Sequence, residues 1–318
     1  MAQSTSAASP PSPRPLVIQT EHLDVDAAAW LAERCQLEVC PSEDEPRFGR
    51  LLAEAQGLVI RTYTQITPHL LARAPRLRVV ARAGVGLDNV DIPACQAKGV
   101  AVLSTPDANT RAVVEYVTAL SLDALRPRPS LDRALPVKDW KLMRERSIAP
   151  RQLSDLTLGI LGLGRIGSQV ARVGAAFNMK VIYHDLLDIP VQKRGGATPV
   201  PKDELLAHAD ILTIHVDGRA SNRDFANAAF FAGCRPDVLF INTSRGFVID
   251  VHALASFLQA NPNASAALDV HEPEPFDQTY PLIGLPNARL TAHLASATKT
   301  AHRNMSWVVR ELWDVLKG

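Results

Sequence analysis

The stretch LTLGILGLGRIG, residues 156–167, decides the fold of this chain. Its first half, residues 156–161, is a short apolar run typical of a buried strand. Its second half has glycine at 162, 164 and 167, and the helical segment SQVARVGAAFN follows at 168–178. A strand, a glycine-rich turn and a helix in this order predict one βα unit of a parallel α/β sheet.

Each glycine of this turn has a physical role in binding a dinucleotide. Gly162 permits the tight turn, Gly164 lets the backbone approach a pyrophosphate, and Gly167 lets helix and strand pack closely. The diphosphate would lie at the helix N-terminus, where free N–H groups favour an anion. The next strand, residues 180–184, ends at Asp185, 23 residues after the first glycine (185 − 162). The pattern alone is a weak signal, but in this context it predicts a dinucleotide site.

Asp185 also predicts which dinucleotide binds. A carboxylate at this position accepts hydrogen bonds from the adenosine ribose hydroxyls and repels a 2′-phosphate. Leu186 and Leu187 follow it, where an NADP enzyme would place an arginine to better effect. NAD is therefore the expected cofactor.

The same alternation of strands and helices runs through the whole chain, which predicts an α/β fold with doubly wound parallel sheets. Apolar runs predict further strands within residues 16–18, 57–60, 77–81, 99–103, 209–216, 237–244, 264–270 and 288–293. Helices are expected at 26–34, with Asp24 or Asp26 as the N-cap, at 111–125 and at 296–317. The charged, proline-rich stretch 126–152 is expected to be irregular, as a connecting arm or an interface element.

Composition excludes several classes of protein. The 318 residues are long for one domain and comfortable for two, at roughly 100–200 residues per domain. A net charge of +1 argues against a nucleic-acid-binding protein, which needs a clustered basic surface. The four cysteines form no C-x-x-C pair, so we expect reduced thiols and no metal site.

The N-terminal segment points to a cytoplasmic protein. Residues 1–15 are small, polar and proline-rich, which predicts a disordered tail. They lack the apolar core of a secretory signal. No apolar run in the chain approaches the ~18 residues of a membrane span.

Three residues stand just past the carboxyl ends of short apolar runs and together suggest a reacting centre. Arg245 follows VLFINTS, Glu274 follows AALDV, and His293 follows RLTA. Because ligands bind outside the carboxyl ends of such strands, we expect the three side chains to meet in one crevice. Histidine can protonate a developing alkoxide, a carboxylate orients its ring and favours its charged form, and arginine matches a substrate carboxylate. These residues predict reduction of a 2-oxo acid, or oxidation of a 2-hydroxy acid.

Several alternatives remain open on the residues alone. Glu272 competes with Glu274 for the same role, and His215 and His271 are interpreted as structural. Asp269 could bind the nicotinamide amide or could cap a turn.

The loop 83–86 offers backbone N–H groups for an anion. Arg61 and Arg82 flank this loop, and an anion site and plain surface charge are equally good interpretations of them.

Five motifs carry a resemblance to a known family. They are RAGVGLDNVD (82–91), LGILGLGRIG (158–167), INTSRG (241–246), ALDVHEPEP (267–275) and HLASAT (293–298). From about residue 16 to residue 316, the chain resembles the D-isomer-specific 2-hydroxyacid dehydrogenases, and the first motif looks most like the D-3-phosphoglycerate dehydrogenases. The resemblance implies that Arg245, Glu274 and His293 are catalytic. The family's glutamate comes five residues after the aspartate of ALDV, which selects Glu274 over Glu272.

The resemblance also implies ligand contacts, domains and assembly. The implied cofactor contacts, beyond the glycines Gly162, Gly164 and Gly167, are Arg165, Ile166, Asp185, Val216, Thr243 and Asp269. The implied substrate contacts, beyond Arg245, are Arg61, Arg82, Val85 and Gly86. A cofactor lobe, residues 106–290, would be inserted into a substrate lobe made of residues 16–105 and 291–318. Homodimers would form through the cofactor lobe.

Some positions depart from the family pattern. Asp217, Gly218 and Arg219 stand where the family usually has Pro-Leu-Thr, which puts the contacts of that cofactor loop in doubt. Asp139 replaces the glycine that usually precedes Trp140, on an arm that can cross to a partner subunit. Because the sequence ends at Gly318, we expect no amino-acid-sensing domain after it.

The expected substrate is 3-phosphoglycerate. Hydroxypyruvate, glyoxylate or another 2-oxo acid is the alternative. A more distant hypothesis is an NAD(H)-sensing binding protein similar to the C-terminal-binding transcriptional corepressors, because those proteins share the fold and a similar triad.

Overall fold

The computed structural model describes residues 14–126 and 128–318, and the chain forms two compact units. The first unit comprises Met1–Asn109 and Lys299–Gly318, and the second unit, Thr110–Thr298, is inserted between these segments. Except for its last two residues, the predicted disordered tail 1–15 lies outside the described part of the chain.

The units divide later in the chain than the sequence predicted. The divisions follow residues 109 and 298, four and eight residues beyond the expected 105 and 290 (109 − 105, 298 − 290). The later division has a clear physical cause, because the backbone N–H of His293 donates to the carbonyl of Asp269 at 2.8 Å. The segment that carries His293 is therefore part of the second unit.

The first unit is built on a five-stranded parallel sheet. Its strands are β1 (Leu16–Gln19), β2 (Gln36–Val39), β3 (Gly57–Ile60), β4 (Val79–Arg82) and β5 (Ala101–Leu103). Their spatial order, β2-β1-β3-β4-β5, is that of a flavodoxin-like doubly wound sheet. Of these strands only β2 was not predicted, because its QLEV residues form a partly exposed edge strand without the apolar run of a central strand.

Short helices connect these strands, and polar caps begin most of them. The helices are α1 (Val25–Ala32), α2 (Glu45–Leu52), α3 (Pro68–Ala72) and α4 (Ile92–Ala97). Asp24, Thr67 and Asp91 each accept a backbone N–H from the first turn of the helix that follows. Such side chains satisfy N–H groups that have no partner within the helix, so the predicted cap at Asp24 is confirmed.

The second unit contains a seven-stranded parallel sheet. Its strands are β6 (Thr157–Leu161), β7 (Lys180–His184), β8 (Thr198–Pro199), β9 (Ile211–Ile214), β10 (Leu239–Asn242), β11 (Ser265–Leu268) and β12 (Ala288–Leu290). The spatial order is β12-β11-β10-β9-β6-β7-β8, so the chain builds outward from β6 and then crosses back to β9. This reversal opens a crevice at the carboxyl ends of β6 and β9, which is where such sheets bind ligands.

The second unit also contains helices, and one of them corrects a prediction. They are α5 (Thr110–Leu125), α6 (Val137–Arg146), α7 (Arg165–Ala176), α8 (Lys202–His208), α9 (Ala228–Ala232) and α10 (Val251–Ala260). Short 3₁₀ turns lie at Leu153–Asp155, Val191–Lys193, Ala220–Asn222 and Gly246–Val248. The helix α6 falls within the stretch 126–152, which was expected to be irregular. It buries none of its residues, so the chain lacked the apolar stripe that reveals a helix in a sequence.

The chain then returns to the first unit through α11 (Lys299–Ser306) and α12 (Val309–Lys317). The sequence predicted one continuous helix here, and this was wrong. The break follows Ser306, whose hydroxyl donates to the carbonyl of His302 at 2.8 Å and accepts the backbone N–H of Asp24 at 3.0 Å. This contact ties the end of α11 to the start of α1, after which α12 packs Leu312 and Leu316 into the core.

Apolar cores lie on both faces of the second sheet. Along β6, Leu158 and Ile160 face one core cluster, whereas Leu161 faces the other. The second cluster includes Phe230, Phe231 and Phe240, with ring centroids 5.3 to 6.3 Å apart in edge-on contacts. Within the described residues, no helix has the length and apolar character to cross a membrane. The two cores hold the carboxyl edge of this sheet as a rigid base.

Candidate active site

Five residues lie one step beyond the carboxyl ends of neighbouring strands in the second unit, and we call them the edge row. In order across the sheet they are Gly162, His215, Thr243, Asp269 and Thr291. Four of their backbone N–H groups, those of Gly162, His215, Asp269 and Thr291, extend the strand ladders, each donating to the carbonyl of the last residue of a neighbouring strand at 2.8 to 3.0 Å. The sheet itself therefore fixes the edge row where the crevice opens.

The three glycines of the predicted turn are needed for three different reasons. Gly162 has φ +90°, and a Cβ there would lie 2.9 Å from the carbonyl oxygen of His215. A Cβ on Gly167 would lie 2.2 Å from the carbonyl oxygen of Gly162, so α7 packs backbone to backbone on the turn. Gly164 has open space around its Cβ position, and no side chain caps the helix after it. An anion can therefore approach the first N–H groups of α7.

Asp185 lies beside this turn, as the sequence predicted. Its Oδ2 accepts the Leu163 N–H at 2.7 Å, and its Oδ1 accepts the Leu187 N–H at 2.9 Å. Each carboxylate oxygen has a further lone pair, so the group can also accept ribose hydroxyls. Leu186 and Leu187 are 83% and 71% exposed. These contacts and exposed apolar side chains fit a ribose without a 2′-phosphate.

Two polar atoms of the edge row, Nδ1 of His215 and Oγ1 of Thr243, are buried and have no hydrogen-bond partner among the described residues. Burial lowers the pKa of His215 to about 3, so its ring is neutral. Its Nε2 lies 3.0 Å from Oγ1 of Thr213. Buried polar atoms that no protein group satisfies indicate a place for a ligand or water. With the glycine turn and Asp185, they fit a bound dinucleotide.

The predicted pairing of Glu274 with His293 is present in the structure. Oε2 of Glu274 lies 2.8 Å from Nδ1 of His293, and its Oε1 accepts the backbone N–H of His271 at 2.7 Å. Burial raises the pKa of Glu274, but these hydrogen bonds outweigh it and leave the pKa below its ordinary value. The competing Glu272 instead forms a two-point ion pair with Arg223, at 2.7 and 2.9 Å. Glu274 is therefore the partner of His293, whereas Glu272 is the partner of Arg223.

Asp269 holds the turn that carries His293. Its buried carboxylate accepts the N–H of Leu294 at 2.8 Å, the N–H of Ala295 at 2.7 Å and the hydroxyl of Thr291 at 2.7 Å. His293 itself has φ +54°, an uncommon conformation for a residue with a side chain. These contacts support the interpretation of Asp269 as a residue that caps a turn.

Arg245 lies on a neighbouring turn whose backbone is also held by a buried side chain. The fully buried Asn242 donates from Nδ2 to the carbonyl of Arg245 at 2.9 Å. The next residue, Gly246, packs on the backbone of His271 and Glu272, where a Cβ would come within 2.0 Å. The Arg245 turn and the turn that leads to Glu274 are therefore in direct backbone contact.

Other residues that support this edge were not predicted from the sequence. Tyr116 on α5 lies beside Thr291 and Asp269, and burial raises its pKa. Asn242 could have been noticed, because a polar residue inside an apolar strand needs a partner. His271 contacts the Tyr280 hydroxyl at 3.2 Å and the Thr291 carbonyl at 2.8 Å, which fits its interpretation as structural. No group of three or more described His, Cys, Asp or Glu side chains is arranged to hold a metal.

The atypical loop after β9 is held by its own side chains. Arg219 donates to both carboxylate oxygens of Asp217, at 2.7 and 2.5 Å, and Asn222 donates to the Asp217 carbonyl at 2.9 Å. The hydrogen bond from Arg219 lowers the pKa of Asp217, and the nearby charge of Arg245 lowers it further. The predicted cofactor contact Val216 precedes this loop and is partly buried against the core.

The predicted substrate residues of the first unit lie at its own carboxyl edge. Arg61 and Arg82 lie at the ends of neighbouring strands there, because Arg61 directly follows β3 and Arg82 ends β4, in register with Ile60. The guanidinium of Arg82 lies over Gly84, where a Cβ would clash with its Nη1. Val85 and Gly86 are half-buried in the loop that follows. By contrast, Arg245, Glu274 and His293 all belong to the second unit.

A dinucleotide site next to a paired histidine and glutamate suits hydride transfer coupled to proton transfer. That chemistry defines the class of NAD-dependent dehydrogenases, and comparison with known proteins narrows it. The model of the D-isomer-specific 2-hydroxyacid dehydrogenase NAD-binding domain matches residues 118–295. The chain is 34% identical to a glyoxylate reductase from Aeropyrum pernix over 306 residues, which cover 94% of this chain and 91% of that one. The chain belongs to the D-isomer-specific 2-hydroxyacid dehydrogenase family and is an NAD-dependent enzyme.

Two further similarities extend this result. The chain is 33% identical to a D-3-phosphoglycerate dehydrogenase from Mycobacterium bovis over 288 residues. The matched region covers 90% of this chain but only 54%, about half, of that relative. The fold is also similar to the crystal structure of D-lactate dehydrogenase from Aquifex aeolicus complexed with NAD and lactic acid. Its TM-score is 0.80 at 26% identity, over 95% of this chain and 94% of that one. The predicted family, fold class, enzyme class and cofactor are confirmed.

The glycine turn yields a paired prediction. Gly167→Ala should lower the free energy of unfolding by about 1–3 kcal/mol, because its Cβ forces the turn and α7 apart. Gly164→Ala should leave the thermal unfolding midpoint unchanged, yet raise the Kd for NADH by about tenfold or more, because its Cβ projects into open space that the pyrophosphate needs. Thermal unfolding and NADH fluorescence titration measure the two effects. Undiminished NADH binding by Gly164→Ala would contradict this account of the turn.

Proposed function

We propose that this enzyme interconverts 3-phosphoglycerate and the corresponding 2-oxo acid, phosphohydroxypyruvate. The observation that carries the proposal is Arg61 in the first unit. Its guanidinium is half-buried, and no carboxylate of the described residues lies within ion-pair distance of it. Arg82 ends the adjacent strand. Two arginines on neighbouring strand ends suit a phosphate group, which arginine binds through paired N–H donors.

In this proposal each residue of the reacting centre serves one part of the substrate. The bound nicotinamide supplies or accepts the hydride. His293 donates a proton to the C2 oxygen during reduction and removes it during oxidation. Glu274 orients the imidazole through Nδ1 and stabilises its protonated form. Arg245 binds the C1 carboxylate with its planar guanidinium.

A second candidate is the reduction of hydroxypyruvate, glyoxylate or another unphosphorylated 2-oxo acid. The likeness to the Aeropyrum pernix glyoxylate reductase, which covers nearly all of both chains, favours it. Arg245, Glu274 and His293 would act identically on either substrate. The two candidates therefore differ in what Arg61 and Arg82 bind.

The function is tested with NADH and a panel of 2-oxo acids, following the loss of NADH absorbance. We expect kcat/KM for phosphohydroxypyruvate to exceed that for hydroxypyruvate by about 10²-fold, because a phosphate contact to two arginines is a strong charge-assisted interaction. Arg61→Met should remove most of that preference and leave kcat/KM for hydroxypyruvate unchanged. Turnover of hydroxypyruvate alone would favour the second candidate.

Glu274→Gln tests the histidine pair. The pKa of Glu274 lies below its ordinary value, so its carboxylate is ionised throughout a neutral assay range and favours the protonated imidazole. Without this carboxylate the His293 ring loses the charged partner that orients its Nδ1, so we expect kcat for reduction to fall by about 10- to 100-fold. Glu272→Gln is the matched control, and an equal effect from it would contradict the assignment.

We further propose a homodimer formed through the second unit. The helix α6 buries none of its residues and exposes Val137 and Trp140, at 72% and 49%. Apolar side chains on an otherwise polar helix suit an interface with a second copy.

Analytical ultracentrifugation tests this assembly. The wild type should sediment as a dimer, and Val137→Asp combined with Trp140→Asp should shift it to a monomer, because the two charges cannot be buried without partners. Lys138→Ala, on the same helix, should leave the dimer intact. A monomeric wild type at micromolar concentration would rule the proposal out.

We also place the enzyme in the cytoplasm. The four cysteines, Cys35, Cys40, Cys95 and Cys234, are free thiols, as is usual in reducing compartments. Burial raises the pKa of Cys35 to about 11 and that of Cys234 to about 12. These two thiols therefore stay protonated and unreactive at neutral pH.

A further inference from the structure

Arg61 has a neighbour that sequence reasoning did not identify. Its Nη1 lies 3.5 Å from Nδ1 of His302, on α11 of the same unit. The two residues are separated by 241 positions in the chain, so only the fold brings them together. Both side chains are partly exposed and can reach a ligand.

The acid nearest to Arg61 is engaged with the backbone. The carboxylate of Glu21 accepts the backbone N–H groups of four consecutive residues, 61 to 64, at 2.7 to 3.2 Å. These hydrogen bonds outweigh its burial and lower the pKa of Glu21. Glu21 therefore fixes the turn that carries Arg61, while the guanidinium itself has no carboxylate within ion-pair distance among the described residues.

Burial lowers the pKa of Arg61, which shows that its cation is partly deprived of water. The charge of Glu21 acts in the opposite direction but does not cancel this effect. A partly desolvated cation without a paired anion is unfavourable. An anionic ligand would relieve this cost, and His302, whose Nδ1 lies 3.5 Å from the guanidinium, can bind the same ligand.

The charges around His302 are mostly positive. Arg61, after β3, and His22, after β1, both lie close to His302. The helix α11, which carries His302, also carries Lys299 and Arg303. The acids on the neighbouring helix α1 are already engaged, because Asp26 pairs with Arg303 at 3.4 Å and Asp24 caps α1. Burial lowers the pKa of His302, and the charges of Arg61 and His22 lower it further. The ring is thus mainly neutral at neutral pH unless an anion is nearby.

We propose that His302 is a specificity-determining residue that binds, together with Arg61, a phosphate monoester dianion at the end of the substrate away from C2. In the ligand-free ring, Nδ1 accepts from the Arg61 guanidinium. Protonation turns Nδ1 into a donor, so both side chains then present N–H groups to the phosphate oxygens. This inference rests on the proposed function.

The direction of the pH dependence follows from this exchange of roles. A bound dianion stabilises the protonated ring, so binding takes up a proton and raises the pKa of His302. Affinity for a phosphorylated substrate should therefore weaken as the pH rises and the ring loses its proton. An unphosphorylated substrate makes no contact with His302, and its affinity should lack this component.

Kinetics on variants test the role of His302. At pH 6.5, His302→Gln should raise the KM for phosphohydroxypyruvate by about tenfold, the scale of one charge-assisted hydrogen bond. Neither kcat nor the KM for hydroxypyruvate should change. His302→Arg should keep the low KM for phosphohydroxypyruvate. That KM should no longer show the increase with pH that the loss of the His302 proton causes, because arginine stays charged. His69→Gln, an exposed histidine of the same unit, is the control and should behave as wild type.

A second measurement needs no turnover. NMR on the wild-type protein follows the His302 ring with increasing pH, with and without inorganic phosphate. Phosphate should move its titration midpoint to higher pH. If the midpoint moves but phosphohydroxypyruvate is not a substrate, the proposed function fails while the anion-binding pair stands. An unmoved midpoint, or an equal rise in KM for both substrates in His302→Gln, would overturn the inference.

Discussion

The buried carboxylate of Asp269 is the interaction on which the reacting centre depends. It accepts two backbone N–H groups and one hydroxyl from residues 291–295, and its own carbonyl accepts the N–H of His293. A buried charge is tolerated only when hydrogen bonds replace its water, and here the segment with His293 supplies them. The carboxylate and the turn therefore stabilise each other, and neither is expected to keep its conformation alone. His293 can hold φ +54° because the turn around it is fixed in this way.

Backbone contacts place the rest of the site relative to this turn. Gly246 packs on the backbone of His271 and Glu272, and the N–H of His271 binds Glu274. A side chain at position 246 would separate the Arg245 turn from the turn that leads to Glu274. The arginine, the glutamate and the histidine are thus oriented by the edge of one sheet. Such preorganisation limits the movement needed when charge develops on the substrate.

Much of this arrangement could be predicted because it follows from local rules. Parallel strands end at a common edge, so the sequence alone predicts that Arg245, Glu274 and His293 lie near one another. The structure pairs Glu274 with His293 and packs the turn after Arg245 on the backbone of Glu272. The choice between Glu272 and Glu274 could not be made from the residues alone, since both follow the same strand. It depends on Arg223, which binds Glu272 and lies 49 residues away. Only the family resemblance favoured Glu274 beforehand.

The errors in the fold have similar physical causes. The strand β2 and the helix α6 bury few or no residues, so they leave little hydrophobic periodicity in the sequence. The break between α11 and α12 follows Ser306, whose hydroxyl accepts the backbone N–H of Asp24, 282 positions away. The contact of His302 with Arg61 is of the same kind. Long-range polar contacts of this type are invisible to patterns that extend over a single helix or strand.

The residues of the proposed function differ in what they can distinguish. In that proposal, Arg245, Glu274 and His293 serve the carboxylate and the C2 oxygen, which every 2-oxo acid has. Contacts that every substrate makes equally lower the activation barrier for all of them by the same amount. Such contacts therefore cannot discriminate between substrates. Selection must therefore come from residues that meet the variable end of the molecule. In the first unit, Arg61 is a partly desolvated cation beside His302, and an apolar or uncharged substrate would leave that charge unsatisfied. In the proposed function, the cost of leaving this cation unpaired would discriminate against an unphosphorylated substrate, in addition to the contacts that favour a phosphorylated one.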